Sequence, residues 1–292
     1  MARPRLVTLA ALSAVGRRLD AGGGTVSVWY GPPGGAAVYA RLPAAPHHAA
    51  STIKLALLVA VYRLADTGCL DLNSTVRVRP EFASVSGARF RLDRGYDNDE
   101  EPWERLGESA SLRWLAGRMI VRSSNLATNL LLDQVGLPAV AEALVACGAR
   151  DSAMRRPICD DAAASAGTSN VVTAADLAAV LGALADGRAA SPAACAEMLE
   201  VLAAQEYLDG IPAGLPPATQ VASKGGWVDE VLHDAALVRP DDAPPYVLVV
   251  CTTGVAGAAD LIPEIAAATW ADRHSLGQQR WVEDVSTQQY PG

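Results

Sequence analysis

Lysine is nearly absent from this sequence. Of its 24 basic residues, 22 are arginine, and Lys54 and Lys224 are the two that remain. Arginine keeps its proton at ordinary pH, whereas a lysine amine can lose its proton when it is buried. A chain that otherwise uses arginine has kept lysine at two positions, and we expect both positions to carry chemistry.

Other absences exclude whole classes of protein. The net charge of −8 argues against a nucleic-acid-binding face, and no run of about 18 apolar residues could span a membrane. The cysteines are odd in number and contain no C-x-x-C pair, which argues against a disulfide framework and against a zinc site; they are Cys69, Cys147, Cys159, Cys195 and Cys251. We therefore expect no metal or other cofactor and no nucleic-acid or membrane partner, while the oligomeric state is left open.

The first residues have the outline of a secretory leader, with charge in 1–5 and apolar residues in 6–16. However, Arg17 and Arg18 follow at once, and no clear small-x-small cleavage site precedes the first strand. The pattern favours an amphipathic first helix and predicts a cytoplasmic protein.

Hydrophobic periodicity places strands at both ends of the chain and helices in the middle. Helices are predicted over 7–19, 51–66, 111–121, 125–135, 137–146, 173–184, 192–206 and 258–270, and strands over 25–30, 37–42, 220–224, 231–238 and 246–252. The simplest architecture is α+β, an antiparallel sheet flanked by the terminal helices with a helical lobe inserted. We expect a sheet lobe of residues 1–48 and 208–292, a helical lobe of residues 49–207, and the active site between them.

Ser51 and Lys54 stand just before the apolar run 55–61. Residues at i and i+3 share one face of a helix, so the lysine amine can reach the serine oxygen. A desolvated lysine can then accept a proton from the serine. The alternative is an N-cap serine followed by an exposed lysine, but that cation would have to lie beside a buried face.

A second motif, Ser123-Ser124-Asn125, lies at the junction of two predicted helices, with Asn129 one turn later on the same face. Ser123 could relay a proton and Asn125 could bind a substrate amide. Alone, this pattern is also typical of an ordinary helix cap.

The third motif is Lys224-Gly225-Gly226-Trp227, at the end of a predicted strand. The glycines permit close approach of a ligand to the strand backbone, which could pair with an extended substrate. The alternative is a strand that simply ends in a glycine turn.

In this order and on these elements, the three motifs resemble those of the penicillin-recognising serine enzymes, most closely class A β-lactamases. The resemblance extends over residues 21–268 and includes the stretch SSNLATNLLL at 123–132. It implies the β-lactamase/transpeptidase-like fold, which agrees with the α+β architecture above.

The resemblance also implies catalytic roles. Ser51 would be the acylated nucleophile and Lys54 its base. Ser123 would pass a proton to the leaving nitrogen, and Lys224 would hold Ser123 and a substrate carboxylate.

Binding roles follow in the same way. Asn125, Gly226 and Trp227 would contact the substrate, and the backbone N–H groups of Ser51 and Trp227 would form the oxyanion hole. The long loop 82–110 could wall the pocket with Tyr96 and Trp103.

Three departures from the family pattern matter. Ser124 stands where the family has aspartate, and Gly225 stands where it has a hydroxyl residue. The third departure is in the loop 154–162, where the family carries a glutamate that activates the deacylating water and this chain has none. Asp160 or Asp161 could substitute as the deacylation base, or both could be solvated loop charges.

We therefore expect a serine hydrolase or acyltransferase that forms an acyl-enzyme at Ser51 on a cyclic amide or ester. Transfer to water or an amine would follow, and the missing glutamate favours a role in specialised metabolism. The alternatives are a slow class A β-lactamase that uses Asp160 or Asp161, and a non-catalytic binder. The pairs His47-His48 and His233-Asp234 are more typical of structural residues than of a catalytic dyad.

Overall fold

The computed structural model describes residues 9–19 and 23–276. Its strands in chain order are β1 (Thr25–Gly31), β2 (Tyr39–Arg41), β3 (His47–His48), β4 (Thr75–Arg77), β5 (Glu81–Ala83), β6 (Arg89–Arg91), β7 (Ser109–Ser111), β8 (Val171–Val172), β9 (Gln220–Val228), β10 (Val231–Arg239) and β11 (Tyr246–Thr253). Its α-helices are α1 (Ala10–Leu19), α2 (Lys54–Asp66), α3 (Glu101–Glu104), α4 (Leu112–Val121), α5 (Asn125–Ala146), α6 (Asp161–Ser165), α7 (Ala174–Ala185), α8 (Pro192–Ala203) and α9 (Ala258–Asp272). Short 3₁₀ helices span Ala50–Ile53, Arg94–Tyr96 and Ile211–Gly214.

A five-stranded antiparallel sheet joins the two ends of the described chain, in the order β2-β1-β11-β10-β9. The central strand β11 places Val250 opposite Val28 on one side and opposite Asp234 on the other. β9 lies at the edge of the sheet, so one side of its backbone faces the helical region. This arrangement confirms the predicted α+β fold.

Alternation along β11 divides the core into two clusters. Val247, Val249 and Cys251 pack with the central helices, while Tyr246, Leu248 and Val250 pack with α1 and α9. Successive side chains of a strand point to opposite faces, so one β-branched strand supplies both clusters. The sheet is therefore covered by helices on both faces.

Helix α2 lies at the centre of the helical region. Its residues from Lys54 to Tyr62 are all buried, and α2 packs closely against α5. A helix that is buried on every side is a core helix. This burial surrounds Lys54 with protein on all sides.

The described part of α1 packs against α9 through Leu12 and Val15. The Leu12 backbone N–H also donates a hydrogen bond to Asp272 Oδ2 at 2.9 Å. Residues 7 and 8 of the predicted first helix lie outside the described residues. The division into lobes 1–48 with 208–292, and 49–207, stays a prediction.

Three segments are more structured than the sequence predicts. The strand predicted over 220–224 continues to Val228, because Gly225 and Gly226 pair with β10. The loop 82–110 contains a hairpin of β5 and β6 and the short helix α3. The loop after residue 157 contains the short helix α6.

Helix α5 is long and apolar enough to cross a membrane by length and composition alone, as core helices of soluble proteins can also be. However, Gly136 (φ 76°, ψ 158°) interrupts its helical backbone. Its first half packs into the core through Leu126, Leu130 and Leu131. We assign α5 to the core of the protein.

Candidate active site

Ser51 lies in the 3₁₀ helix Ala50–Ile53, which leads directly into α2. Edge strand β9 passes close to it: a Cβ atom on Gly226 would be 2.6 Å from the Ser51 backbone nitrogen. Only glycine permits this approach of strand to helix. Ser51 is partly buried, and within the described chain its hydroxyl makes no hydrogen bond, so it can rotate toward a substrate.

The Lys54 amine is fully buried and donates three hydrogen bonds to neutral oxygens. The acceptors are the Ser123 carbonyl at 2.7 Å, Asn125 Oδ1 at 2.9 Å and Ser123 Oγ at 3.2 Å. Burial lowers the pKa of Lys54 to about 7, although the charges of Asp97 and Cys159 act to raise it. The amine therefore has an accessible neutral form, although its hydrogen bonds reach the second motif rather than Ser51.

Ser123 is where the three sequence motifs meet. Its Oγ accepts a hydrogen bond from Lys224 Nζ at 3.0 Å as well as the one from Lys54. Its backbone has φ 55°, an uncommon conformation for a residue other than glycine. The hydroxyl is thus held between the only two lysines of the chain.

Lys224 is also fully buried, and its amine donates a second hydrogen bond to the Gly225 carbonyl at 2.8 Å. Burial lowers the pKa of Lys224 well below its ordinary value, and the charge of Lys54 lowers it further. Two such amines around one hydroxyl form a path for a proton.

Asn125 begins α5 and links Lys54 to the loop before α3. Its Oδ1 accepts from Lys54, while its Nδ2 donates to the Tyr96 carbonyl at 2.7 Å. The carboxylate of Asp97 accepts the backbone N–H groups of Asn125 and Leu126 at 2.9 and 2.8 Å. Sequence reasoning missed Asp97, which fixes the start of this helix at the site.

Trp103 has a different position from the one predicted. Its side chain is 5% exposed, and its indole N–H donates to Asp97 Oδ2 at 2.9 Å. This burial places Trp103 behind Asp97 rather than on a pocket wall, so we reassign it to positioning the helix start. Tyr96, from the same loop, is 74% exposed beside Asn125.

The loop between α5 and α7 is fixed to the site through Asn129. The Asn129 side chain accepts from the Ile158 N–H and donates to the Ile158 carbonyl, both at 2.9 Å. The next residue, Cys159, is close enough to Lys54 for each to affect the pKa of the other. Asn129 therefore holds this loop beside Lys54.

Of the two aspartates suggested as the deacylation base, Asp160 has a carboxylate already engaged in the protein, and the role of Asp161 stays a prediction. Asp160 is fully buried, and its carboxylate accepts from the Ser84 hydroxyl and from the N–H groups of Val85 and Ala163. These bonds cap α6 and tie the loop to the segment after β5. Asp161 is exposed in the first turn of α6.

Three histidines lie behind Ser51 and act as structural residues. The rings of His47 and His233 pack edge to face with centroids 5.3 Å apart. His233 Nε2 bonds the His48 carbonyl at 2.8 Å, whereas Asp234 accepts the Ile211 N–H at 2.7 Å. His233 and Asp234 have separate partners and form no dyad, in agreement with the structural interpretation.

The remaining predicted groups are Gly226 and Trp227, which follow Lys224 in β9. Gly226 lies against the Ser51 nitrogen, so the Trp227 N–H stands one residue from that contact. Their roles in an oxyanion hole stay a prediction. Among the described residues, no group of three or more His, Cys, Asp or Glu side chains could hold a metal ion.

Known proteins resemble this chain along most of its length. The family model described as "Beta-lactamase enzyme family" matches residues 10–272. A β-lactamase structure from Sphaerobacter thermophilus DSM 20745 is 27% identical, covers 92% of this chain and 98% of that chain, and has a TM-score of 0.78. A comparison with curated proteins found no match.

Two more distant structures share the fold. A mutant of PBP-A, solved as an acyl-enzyme complex with penicillin G, is 20% identical over 92% of this chain and 98% of that chain, with a TM-score of 0.75. An ancestral class A β-lactamase is 22% identical over 89% of this chain and 99% of that chain, with a TM-score of 0.76.

Proposed function

Because the chain belongs to the β-lactamase enzyme family, we propose that it forms an acyl-enzyme at Ser51 on a cyclic amide or ester and passes the acyl group to water or an amine. Family membership supports a β-lactamase-like serine hydrolase; the acyl donor, the acceptor and the residue roles are our proposal. The observation that carries it is Ser123 Oγ, held at 3.2 Å from Lys54 Nζ and 3.0 Å from Lys224 Nζ.

In the first step, Ser51 Oγ bonds to the substrate carbonyl carbon, and its proton passes to the neutral Lys54 amine. The bond from that carbon to the leaving nitrogen or oxygen then breaks. A proton reaches the leaving atom through Ser123, between the two amines. The backbone N–H groups of Ser51 and Trp227 are the proposed hydrogen-bond donors to the oxyanion. Asn125 is proposed to hydrogen-bond an amide group of the substrate.

For the second step we propose that no base of equal efficiency is in place. Asn129 holds Ile158 beside the site, and the carboxylate of Asp160 is already bonded to Ser84, Val85 and Ala163. Attack by water needs a group that accepts its proton. We therefore expect the acyl-enzyme to persist until an acceptor, water or an amine, removes the acyl group.

A slow acyl-enzyme is better suited to specialised metabolism in the cytoplasm than to rapid destruction of a drug, and we propose that setting. The alternative of a slow class A β-lactamase would need Asp160 or Asp161 to serve as the base. A non-catalytic binder is disfavoured because both lysines are buried, and a charged amine is unfavourable in the protein interior. A protein without catalysis would have no reason to keep them.

The direct test is intact-mass analysis after incubation with penicillin G or with an activated ester. We expect a long-lived adduct of one acyl group on the wild-type protein and none on Ser51→Ala. If none of the acyl donors gave an adduct, the proposal that the protein is an enzyme would be refuted.

Turnover distinguishes the alternatives. Rapid release of the acyl group to water would contradict the proposal that an efficient second base is missing. If the Asp161→Asn substitution abolished that release, the result would favour the slow β-lactamase. Release accelerated by an added amine, with the amide detected as product, would support transfer.

A further inference from the structure

Ala50, the residue before the proposed nucleophile, has an uncommon backbone conformation. It is buried, and its φ of 44° lies in the left-handed region that favours glycine. A residue with a side chain keeps this conformation only where its surroundings hold it. The planar peptide that follows carries the Ser51 N–H, so the conformation of Ala50 sets the direction of that group.

The peptide between Ala49 and Ala50 is fixed at both of its polar atoms. Its carbonyl accepts hydrogen bonds from the Thr52 hydroxyl at 2.6 Å and from the Thr52 N–H at 3.2 Å. Its N–H donates to His48 Nδ1 at 3.2 Å. The imidazole of His48 is therefore the acceptor that fixes the N–H of this peptide.

His48 is itself held by the neighbouring strands. Its strand β3 pairs with β8 through Val171, and its carbonyl accepts a hydrogen bond from His233 Nε2 of β10 at 2.8 Å. With the backbone held in this way, the ring reaches the Ala50 N–H two residues later, as an asparagine side chain does in an Asx turn. The chain that leads into Ser51 thus depends on one side-chain acceptor.

The bond between His48 and Ala50 requires a neutral ring. An imidazole nitrogen that accepts from an N–H carries no proton, so the proton of His48 lies on Nε2. Protonation of the ring would place a second N–H against that of Ala50 and would remove the acceptor.

The surroundings of His48 favour this neutral form. Strand β8 lies beside it with two valines, which do not titrate. Burial lowers the pKa of His48 from 6.5, and the charge of Arg156 lowers it further. Burial also lowers the pKa of His233, and the charge of His48 acts on it in the same direction. The adjacent His47 is bonded to hydroxyl groups of β1 and β11.

We propose that His48 is a positioning residue for acylation: its neutral ring holds the Ala50 N–H and thereby keeps Ser51 in its reactive position. This role rests on the proposed acylation of Ser51 and adds a proton-dependent control of that step. His48 acts through the turn and does not touch the reacting atoms, so the proton transfers through Lys54 and Ser123 stay as described. When His48 takes up a proton at acid pH, its bond to Ala50 is lost and acylation slows.

Two variants separate the hydrogen bond from the other contacts of the ring. His48→Ala leaves a buried N–H unpaired, so acylation by p-nitrophenyl phenylacetate at pH 8, measured by stopped-flow, should fall by roughly tenfold. His48→Asn offers its Oδ1 to the same N–H and should restore most of the loss. His274→Asn makes the same change at an exposed histidine and should leave the rate unchanged.

Nitrogen-15 NMR of the histidine rings reads the contact without any acylation. The chain has four histidines, so each ring can be assigned by single substitution. At pH 7 the signals should show the Nε2–H tautomer of His48. As the ring titrates, the amide signals of Ala50 and Ser51 should shift in the wild type and stay constant in His48→Asn.

The pH profile distinguishes a positioning bond from a contact that only stabilises the fold. As the His48 ring takes up its proton below pH 6.5, the acylation rate of the wild type relative to His48→Asn should fall by roughly tenfold. Lys54 is present in both proteins, so its own titration cancels in this ratio. Near-UV circular dichroism at each pH confirms that both proteins are folded.

Three results would overturn the inference: an Nδ1–H tautomer of His48, a rate ratio that does not change while the ring titrates, or normal acylation by His48→Ala. Failure of the wild type to react with any acyl donor would refute the proposed function instead. The ring and amide signals would then decide by themselves whether His48 holds Ala50 and the Ser51 N–H.

Discussion

At the scale of single residues, the site depends on two amines that have been removed from water. Lys54 and Lys224 are both fully buried, and their hydrogen-bond partners are hydroxyl, carbonyl and amide oxygens rather than carboxylates. Burial without an ion-pair partner favours the neutral amine. Arginine could not serve at either position, because it does not release its proton.

The pH dependence of acylation follows from Lys54. In the proposed reaction its neutral form is the base, and burial lowers its pKa to about 7. Below that pH the amine is protonated, so the acylation rate should fall by about tenfold for each further pH unit. Above it the rate should reach a plateau, as measured by stopped-flow acylation between pH 5 and 9.

Lys54→Arg is the matched variant, since it keeps a cation and removes the neutral form. We expect its acylation to fall by a factor of at least ~100, within the range lost with a general base. A wild-type rate that does not change across this pH range would contradict the role of Lys54.

The loop held by Asn129 provides a test of the proposed slow deacylation. Asn129 holds the backbone of Ile158, next to Cys159 and near Lys54. Ile158→Glu should place a carboxylate where a water can approach the acyl group, and should shorten the acyl-enzyme lifetime by roughly tenfold or more.

Time-resolved mass analysis measures this lifetime. Ile158→Gln has the same length without the charge and should leave the lifetime close to that of the wild type. Equal lifetimes for the Glu and Gln variants would show that a carboxylate at this position does not supply the missing base.

At the scale of elements, the contact between β9 and the 3₁₀ helix Ala50–Ile53 determines the geometry. β9 pairs with β10 through its glycines, which keeps the strand regular as far as Trp227. The absent side chain of Gly226 lets this regular strand lie against the Ser51 and Thr52 nitrogens. The backbone of β9 and the backbone of the 3₁₀ helix are therefore in direct contact, with no side chain between them.

Gly226→Ala tests this contact. The new Cβ would lie 2.6 Å from Ser51 N and 2.9 Å from Thr52 N, so the backbones must separate. We expect acylation of Ser51 to fall by roughly 100-fold, comparable to the loss of one oxyanion donor.

The control is Gly117→Ala in α4, where the added Cβ meets nothing within 4 Å. It should leave the acylation rate unchanged and stabilise the helix slightly. Normal acylation by Gly226→Ala would mean that the close approach has no role in the reaction.

At the scale of the whole molecule, buried polar groups join the sheet to the segment that carries Ser51. His47 of β3 hydrogen-bonds Ser27 Oγ of β1 and Thr253 Oγ1 of β11, both at 2.8 Å. β3 in turn pairs with β8, just before α7. The histidine therefore ties the strands from both chain ends to the chain entering the active site.

Stability should consequently depend on pH through His47. Burial, and secondarily His233, lowers its pKa from 6.5 to about 4. Between these values the unfolded state binds more protons, so the free energy of unfolding should decrease as pH falls from 6.5 to 4. This one group would contribute on the order of 3 kcal/mol.

Urea unfolding at pH 7, 5.5 and 4 measures the change. His47→Gln should be less stable at pH 7 and show a smaller decrease toward pH 4. His274→Gln alters an exposed histidine and should leave the pH dependence as it is. A wild-type free energy that does not change over this range would contradict the assignment.

The sequence by itself determined the five strands of the main sheet, the longer helices, the α+β fold, and the meeting of Lys54, Ser123 and Lys224. These properties depend on local periodicity and on short motifs, such as Ser51 to Lys54, whose spacing is visible along the chain. The two retained lysines were informative because their chemistry differs from that of arginine wherever they are buried.

Only the tertiary structure decided how those residues meet. It directs the Lys54 amine to Ser123 and Asn125, buries Trp103 behind Asp97, and bonds Asp160 to Ser84 in the segment after β5. It also brings Tyr207 to Trp227 and holds Ile158 at Asn129. All of these contacts except that of Trp103 with Asp97 join segments distant in sequence, and side-chain direction and burial at such contacts are set by packing rather than by any local pattern.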